Sequence, residues 1–304
     1  MTWFFIALIG PFLYAVANHT DKYLISKYFK GGQIGALIIF SSIFSLLALP
    51  IILLANPEIF NISVWRGLVL AVNGSLVVIS ILFYLYALQK EETSLVVPFY
   101  QTIPIFAFIL GYYILGETLT LWQGVAFLII LAGALVLSFE LGVKQIRFKT
   151  KIVLLMLGAS FLYALNGVVF KLIAIEDGFW TSTFWSLVGK IILGFIFLSF
   201  VPSYRKHFFS VIKDNQAKVL GLNSLNETAV IVADAVTAFA TLLAPVALVF
   251  LINAFQPFFV LLLGIILTIF LPQFSRESLL GKHLVQKIVG IGLILVGTLC
   301  LSIA

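Results

Sequence analysis

The feature that most constrains this chain is a succession of ten long apolar runs, separated by short segments that carry most of the charges. The runs start near Trp3, Gly32, Ser63, Leu95, Leu121, Lys151, Phe179, Lys218, Pro245 and Leu284. A helix of about 20 apolar residues spans the hydrocarbon core of a bilayer, so the runs predict ten transmembrane helices. Only 10% of the residues are charged, against about 25% in soluble domains. The predicted fold class is therefore an all-α integral membrane protein without a separate soluble domain.

The first apolar run has one feature of a cleaved signal peptide, because Trp3 to Val16 is apolar and ends near small residues. A signal peptide has a basic segment before its apolar region, and this run has none. The run also takes part in an internal repeat. We therefore expect it to be the first transmembrane helix.

The sequence repeats itself once along the chain. The segment Phe12–Ala15 (FLYA) recurs as Phe161–Ala164, at an offset of 149 residues (161 − 12). The other matched positions are Lys22 with Lys171, Asn73 with Asn226, Pro104 with Pro257, Gly111 with Gly264 and Gly133 with Gly297. We predict two halves of five helices each, residues 1–140 and 151–304, joined by a short basic loop. Because five is odd, the second half would be inverted in the membrane, which is typical of secondary transporters with a site between their halves.

The stretch Ala87–Ser138 contains Pro104, the segment Leu115–Glu117 (LGE) and a closing helix with spaced glycines. It resembles the EamA module of the drug/metabolite transporter (DMT) superfamily, and two tandem modules would cover nearly the whole chain. The resemblance implies an exporter or exchanger of amino acids, nucleotide-linked metabolites or similar solutes. The second half departs from the pattern, because Thr268–Phe270 stand where the first half has LGE, and Glu277 comes later.

Positive charges are distributed unevenly among the predicted loops. Of the 18 Lys and Arg residues, the odd-numbered loops hold 15: Lys22, Lys27, Lys30, Lys90, Lys144, Arg147, Lys149, Lys151, Arg205, Lys206, Lys213, Lys218, Arg276, Lys282 and Lys287. Arg66 alone falls in an even-numbered loop. The positive-inside rule then places the odd loops in the cytoplasm and both termini outside. The resemblance implies termini inside more often, but we follow the charges.

Three charged residues fall well inside predicted helices: Lys190, Glu227 and Asp234. Glu227 and Asp234 are seven residues apart and lie nearly on one helix face, which Asn223 and Thr237 extend into a polar stripe. Charges at membrane depth are costly and mark solute or proton pathways. One interpretation is a solute site in which Glu227 or Asp234 carries a proton. The alternative is an ion pair between Glu227 and Lys190 that only stabilises packing.

Seven further candidates for substrate binding or coupling each have a structural alternative. They are Asn226, Asn73, Lys171, Lys22, Tyr14, Tyr84 and Tyr100. The two lysines, which the EamA resemblance shares, either contact the solute or extend to the lipid headgroups. The two asparagines, matched by the repeat, either approach a shared axis or make ordinary interhelical hydrogen bonds. The tyrosines either line a cavity or pack as aromatic side chains do.

The sequence also narrows the class of function. It has no glycine-rich phosphate-binding loop, and with Cys300 as its only cysteine it excludes a disulfide or a cysteine metal site. We expect a secondary transporter that moves a small polar metabolite by alternating access, with no cofactor, metal ion or nucleic acid. Its partners would be the solute, the lipid bilayer and, if transport is coupled, protons, while a homodimer is left open.

Two other classes of function are left open. One is an integral-membrane enzyme or flippase that acts on a lipid-linked substrate, and the other is a membrane scaffold or receptor. The expected location is the plasma membrane of a bacterium or an archaeon, which the chain would cross several times with both termini extracytoplasmic.

Overall fold

The structure, a computed structural model, is helical throughout. It describes residues 2–27, 34–88, 90, 97–138, 150–270 and 281–303. In chain order the α-helices are α1 (Thr2–Lys27), α2 (Ile34–Phe44), α3 (Ala48–Ala55), α4 (Val64–Leu88), α5 (Ile103–Leu110), α6 (Leu121–Ser138), α7 (Thr150–Asp177), α8 (Phe179–Phe200), α9 (Pro202–Leu243), α10 (Val246–Leu251), α11 (Gln256–Phe270) and α12 (Gly281–Ile303). Short 3₁₀ turns at Ser45–Leu47, Val97–Thr102 and Ile252–Phe255, and a π-turn at Gly111–Leu115, join some of them.

Within these residues, seven helical stretches are long and apolar enough to cross a membrane. They are Thr2–Asp21, Gly35–Ala55, Val64–Ala87, Thr150–Asp177, Phe179–Phe200, Leu220–Leu243 and Val246–Phe270. Three shorter apolar helices cover Phe99–Leu115, Leu121–Leu137 and Ile288–Leu301. The all-helical membrane fold is confirmed. The count of ten spans stays a prediction, because a 17-residue helix such as Phe99–Leu115 rises only about 26 Å, short of a core about 30 Å thick.

Apolar side chains lie on both the inside and the outside of this fold. Ile130 of α6, Val168 of α7 and Leu248 of α10 belong to the largest buried apolar cluster. Leu54 of α3 and Leu121 of α6 are as apolar but almost fully exposed. An apolar exterior of this kind suits lipid, whose tails are as apolar as leucine.

Helix α9 differs from the predicted organisation, which had a loop between the seventh and eighth runs. The structure has one helix of 42 residues that starts at Pro202, a residue preorganised for the first helical position. Arg205 and Lys213, predicted to lie in that loop, are therefore on a helix. At about 1.5 Å per residue the helix is about 63 Å long, twice the hydrocarbon core. Only its last part, Leu220–Leu243, is a candidate span.

The main helix contacts join the first half of the chain to the second. Helix α1 packs on α9, while α7 packs on α4, and these two pairs involve the same elements of the predicted repeat. Likewise α2 packs on α9 while α8 packs on α4, and α6 packs on α12. These matched pairs are what a two-fold relation between the halves would produce. The inverted repeat and its two domain boundaries stay predictions, and both Glu277 and the basic linker lie outside the described residues.

Glycines permit the closest of these contacts. A Cβ atom on Gly189 of α8 would lie 1.7 Å from the carbonyl oxygen of Ala71, and one on Gly74 of α4 would lie 1.8 Å from that of Ser186. Small residues let helix backbones approach in membranes, where van der Waals packing drives association. The crossing of α4 and α8 therefore depends on these two glycines.

We expect Gly189→Ala to destabilise the protein by about 1–3 kcal/mol, because its methyl group can be accommodated only by moving the α4 backbone. The matched control is Gly221→Ala in α9, where an added Cβ would meet nothing within 4 Å. That change should leave stability equal or slightly higher, since alanine favours a helix more than glycine does. Thermal unfolding of the two purified variants in the same detergent compares them. Equal midpoints would show that the α4–α8 crossing is looser than described.

Candidate solute-binding site

A buried polar cluster begins where the two copies of the FLYA motif meet. Tyr14 of α1 donates a hydrogen bond to Asp234 of α9, with 2.5 Å between Oη and Oδ1. The hydroxyl of Tyr163 in α7 lies 3.2 Å from that of Tyr14. Because Tyr14 uses its proton on Asp234, Tyr163 is the donor in the second bond. Tyr14 and Tyr163 occupy the same position in the repeated motif, so the repeat places two matched side chains in contact.

The cluster continues along α1 and α9 to a second pair of carboxylates. Asn226 donates from Nδ2 to Asp21 Oδ1 at 2.6 Å. Ser41 of α2 donates from Oγ to Glu227 Oε2 at 2.6 Å. Tyr14 and Asp21 are seven residues apart on α1, as are Glu227 and Asp234 on α9. Each pair therefore lies on one helix face, and the two faces meet with the helices antiparallel.

Asp21 was not among the predicted site residues. It precedes Lys22 at the end of the first apolar run, where a charged residue is expected at the membrane surface. The available signal was its seven-residue spacing from Tyr14, which repeats the spacing of the two carboxylates in α9. Tyr163 was also missed, although the repeat matches it to the predicted Tyr14.

Lys190 of α8 reaches the same cluster without a direct partner. Its side chain is buried, with 6% exposure, and its charge interacts with both Glu227 and Asp234. Among the side chains that the structure describes, none forms a salt bridge within 4.0 Å of its ammonium group. The contact ion pair between Lys190 and Glu227, offered as a purely structural alternative, is therefore absent from the described residues.

The predicted asparagines have different surroundings. Asn73 of α4 and Asn166 of α7 exchange two hydrogen bonds of 3.0 Å, each amide donating to the other's backbone carbonyl. Asn73 thus stabilises the packing of α4 on α7. Asn226 bonds to Asp21 instead, and Asn223 lies one helical turn before Glu227. The side-chain oxygens of Asn223 and Asn226 are buried without a hydrogen-bond partner.

Two more predicted tyrosines lie beside the carboxylates. The rings of Tyr84 and Tyr100 have centroids 5.0 Å apart, and both pack against buried Met156. Tyr84 interacts electrostatically with Asp21, and Tyr100 with Tyr163. The tyrosines thus form an aromatic border between the acidic cluster and the apolar core.

Lys171 belongs to a separate polar contact, which joins both halves of the chain. Its Nζ donates to Glu117 Oε1 at 2.5 Å and to the carbonyl oxygen of Ala244 at 2.8 Å. Glu117 Oε2 accepts the backbone N–H of Val246 at 2.9 Å, which satisfies the first turn of α10. We call this group the Lys171 latch; it consists of Lys171, Glu117, Ala244 and Val246. The side chain is buried, with 9% exposure, so it does not extend to the headgroups.

Glycine explains how Glu117 reaches this position. Gly116 has φ of 68°, in the left-handed region, which glycine adopts without steric cost. The turn folds Glu117 back so that its N–H donates to the carbonyl oxygen of Gly111 at 3.1 Å. Glu117 therefore caps α10 of the second half rather than α6, the helix that follows it in the sequence. The side chain of Lys22, the repeat partner of Lys171, lies outside the described part of the structure.

Comparison with known proteins identifies the first half of the chain. Residues 1–139 match the EamA-like transporter family. The match covers 139 of the 304 residues, so it shows that this segment is similar to that family. The predicted resemblance to the DMT superfamily is thereby confirmed for the first module, while the second module stays a prediction. The apolar helices and this match together indicate a multi-pass membrane protein whose first half is similar to EamA-like transporters.

The fold is shared with solved structures over nearly the whole chain. One crystal structure of a protein matches with a TM-score of 0.69 and 13% identity, over 99% of this chain and 96% of the other. At that identity the likeness concerns the fold alone. No curated protein sequence matches the chain.

We expect Lys171→Met to destabilise the protein by about 3–5 kcal/mol, because it leaves the Glu117 carboxylate, whose side chain is 14% exposed, without its cation. Glu117→Gln should also destabilise it, although the amide oxygen can still accept from Val246. The double variant should be more stable than either single variant, since no unpaired charge remains. Thermal unfolding measures all three.

The control is Glu176→Gln at the end of α7, which removes the exposed partner of Arg66, a side chain with 61% exposure. Exposed ion pairs contribute little to stability, so this change should leave the midpoint nearly unaltered. A Lys171→Met variant as stable as the Glu176→Gln variant would contradict the latch.

Proposed function

We propose that this protein is a secondary transporter that exports or exchanges a small polar metabolite by alternating access. The observation that carries the proposal is the polar cluster around Tyr14, Tyr163, Asp21, Glu227 and Asp234. It draws side chains from α1 and α2 of the first half and from α7, α8 and α9 of the second. A site formed by both halves of a repeat is the arrangement in which rocking of one half against the other exposes the solute to alternate sides.

In the proposed transporter, the Lys171 latch closes one side of the solute site. Lys171 follows Tyr163 by eight residues on α7, which is about 12 Å along the helix axis. The latch therefore lies between the polar cluster and the end of α7, where Asp177 meets Arg66. In the proposed cycle the latch seals that side while the solute site communicates with the opposite side.

Protons are the proposed coupling ion. Glu227 and Asp234 lie in the candidate span Leu220–Leu243 and accept one hydrogen bond each, from Ser41 and Tyr14. A carboxyl group that exchanges a proton with water on either side could couple solute movement to a pH gradient. The solute itself would bind to the same face, where Asn223 and Asn226 have free side-chain oxygens.

Transport can be tested before the solute is known. Proteoliposomes are filled with the small-molecule fraction of a cell extract, and mass spectrometry identifies compounds released only when the protein is present. We expect release of at least one polar solute, and faster release under an imposed pH gradient. The solute found in this way becomes the substrate for exchange assays.

Glu227→Gln and Asp234→Asn then test the coupling, because each keeps the shape of the side chain and removes its charge. The variant that removes the proton carrier should lose acceleration by the pH gradient and keep exchange at saturating solute. Both variants responding to the gradient like the wild type would exclude both residues as the proton site. The control is Glu176→Gln, an exposed carboxylate outside the cluster.

We also propose that both termini are extracytoplasmic, in a bacterial or archaeal plasma membrane, because the loop cations lie on the other side. Alkaline phosphatase fused after residue 304 should therefore be active, and green fluorescent protein fused there should be dark. Fusions after Lys90, in a predicted cytoplasmic loop, should give the opposite pair of signals. A fluorescent C-terminal fusion would contradict this orientation and place the C-terminus in the cytoplasm.

A further inference from the structure

The acidic cluster carries more negative charge than its surroundings compensate. Asp21, Glu227 and Asp234 are three carboxylates linked by charge interactions, Asp21 with Glu227 and Glu227 with Asp234. Among the side chains that the structure describes, Lys190 is the one cation that interacts with them. Ionised carboxylates would therefore leave two negative charges without a partner, in a region where an uncompensated charge is costly.

The hydrogen bonds show the same imbalance. An ionised carboxylate can accept about four hydrogen bonds, and from the side chains that the structure describes each of these three accepts one, from Asn226, Ser41 or Tyr14. The side-chain oxygens of Asn223 and Asn226 are buried acceptors that receive no hydrogen bond from a described residue. Buried acceptors in native proteins are almost always satisfied by something, so these oxygens can accept from a bound molecule.

Lys190 does not fill this deficit. It is nine-tenths buried and its charge interacts with those of Glu227 and Asp234, yet it forms no salt bridge with any described residue within 4.0 Å. An ammonium group that interacts with carboxylates without contacting them directly can be bridged to them by a bound molecule or by water. The lysine and the orphaned amide oxygens are therefore independent signs that the cluster is a ligand site.

The chemistry of the missing ligand follows from these requirements. It must bring positive charge and several N–H donors. A bare metal ion does not fit, because no three His, Cys, Asp or Glu side chains among the described residues are placed to hold one. The neighbouring rings of Tyr14, Tyr84, Tyr100 and Tyr163 suit an organic cation, which aromatic faces attract.

We infer that the solute of this transporter is an organic cation whose amine or guanidinium groups bind between Asp21, Glu227 and Asp234. The inference rests on the proposed transport function and names its substrate class. Lys190 then acts as a counter-charge that limits affinity, so that the cation can be released. Cation and proton would compete for the same carboxylates, which links solute movement to the proposed coupling.

The competing possibility is a zwitterionic solute. A substitution of Lys190 distinguishes a zwitterionic from a cationic solute. A zwitterionic solute would place its carboxylate on the Lys190 ammonium, so removal of that ammonium would abolish binding. A cationic solute is repelled by Lys190, so the same change would strengthen binding. The two possibilities therefore predict effects of opposite sign for one substitution.

The test is a panel of probes that match in length and differ in charge. Straight-chain diamines of three to six carbons are compared with the diols, ω-amino acids and dicarboxylates of the same lengths, and agmatine adds a guanidinium group. Binding to the full-length purified protein is measured calorimetrically, and exchange is measured in proteoliposomes. We expect at least one cationic probe to bind about tenfold tighter or better than its matched neutral, zwitterionic and anionic probes.

The variants should then act in opposite directions on the best cationic probe. Glu227→Gln and Asp234→Asn should each weaken binding about tenfold, through the loss of a charge-assisted bond. Lys190→Met should tighten it about threefold or more, by removing repulsion. Lys213→Met, an exposed lysine on α9, is the matched control and should change nothing. Lys190→Gln replaces Lys190→Met if the latter does not fold.

Several results would overturn the inference. They are a panel in which no cation exceeds its matched probes, a preference for ω-amino acids that Lys190→Met abolishes, or carboxylate variants that bind the cation as the wild type does. The release assay with cell extract decides the transport function separately. Release of a neutral or anionic solute there would reject a cationic substrate and leave the transporter in place.

Discussion

The rest of this structure depends on one constraint, which is that a polar group within a bilayer must find its partner inside the protein. The protein meets the constraint in two different ways. The ammonium of Lys171 has a carboxylate and a carbonyl oxygen within 2.8 Å, and its partner Glu117 also caps a helix. Lys190 is buried as deeply but has no such contact with a described residue. A fully satisfied network stabilises one arrangement of helices, whereas an unsatisfied one is suited to binding something from outside.

The repeat predicted from the sequence matches aromatic residues of the polar cluster and does not match two of its carboxylates. The two FLYA motifs place Tyr14 against Tyr163, as a two-fold relation between the halves requires. The carboxylates have no such counterparts, because subtracting the offset of 153 residues (226 − 73) puts Gly74 at the position of Glu227 and Ile81 at that of Asp234. In the first half this position brings α4 tightly against α8. In the second half it carries a charge, so packing and chemistry are divided between the two copies.

The sequence was sufficient to predict features that lie within one segment, such as a helix or its polar face. It was not sufficient to predict contacts between segments that are distant in the chain. Apolar runs gave the helices, and the seven-residue spacing of Glu227 and Asp234 gave one polar face. Asp21 was missed because a charge at the end of an apolar run looks like a surface residue. The partner of Glu117 could not be predicted, since it comes from the other half of the chain. Helix α9 was divided wrongly because a polar first half conceals a continuous helix.

The position of α7 connects the latch to the site. This helix carries Tyr163, which bonds to the cluster, and Lys171, which bonds to Glu117 and Ala244. Packed helices shift as rigid bodies rather than deform, so a movement of α7 that separates Lys171 from Glu117 also draws Tyr163 away from Tyr14. A solute that binds Asp234 competes with the hydroxyl of Tyr14 and weakens the bond that holds α7 to α1. A ligand shifts a conformational equilibrium only through such differential contacts, and occupancy of the cluster would thereby favour opening of the latch.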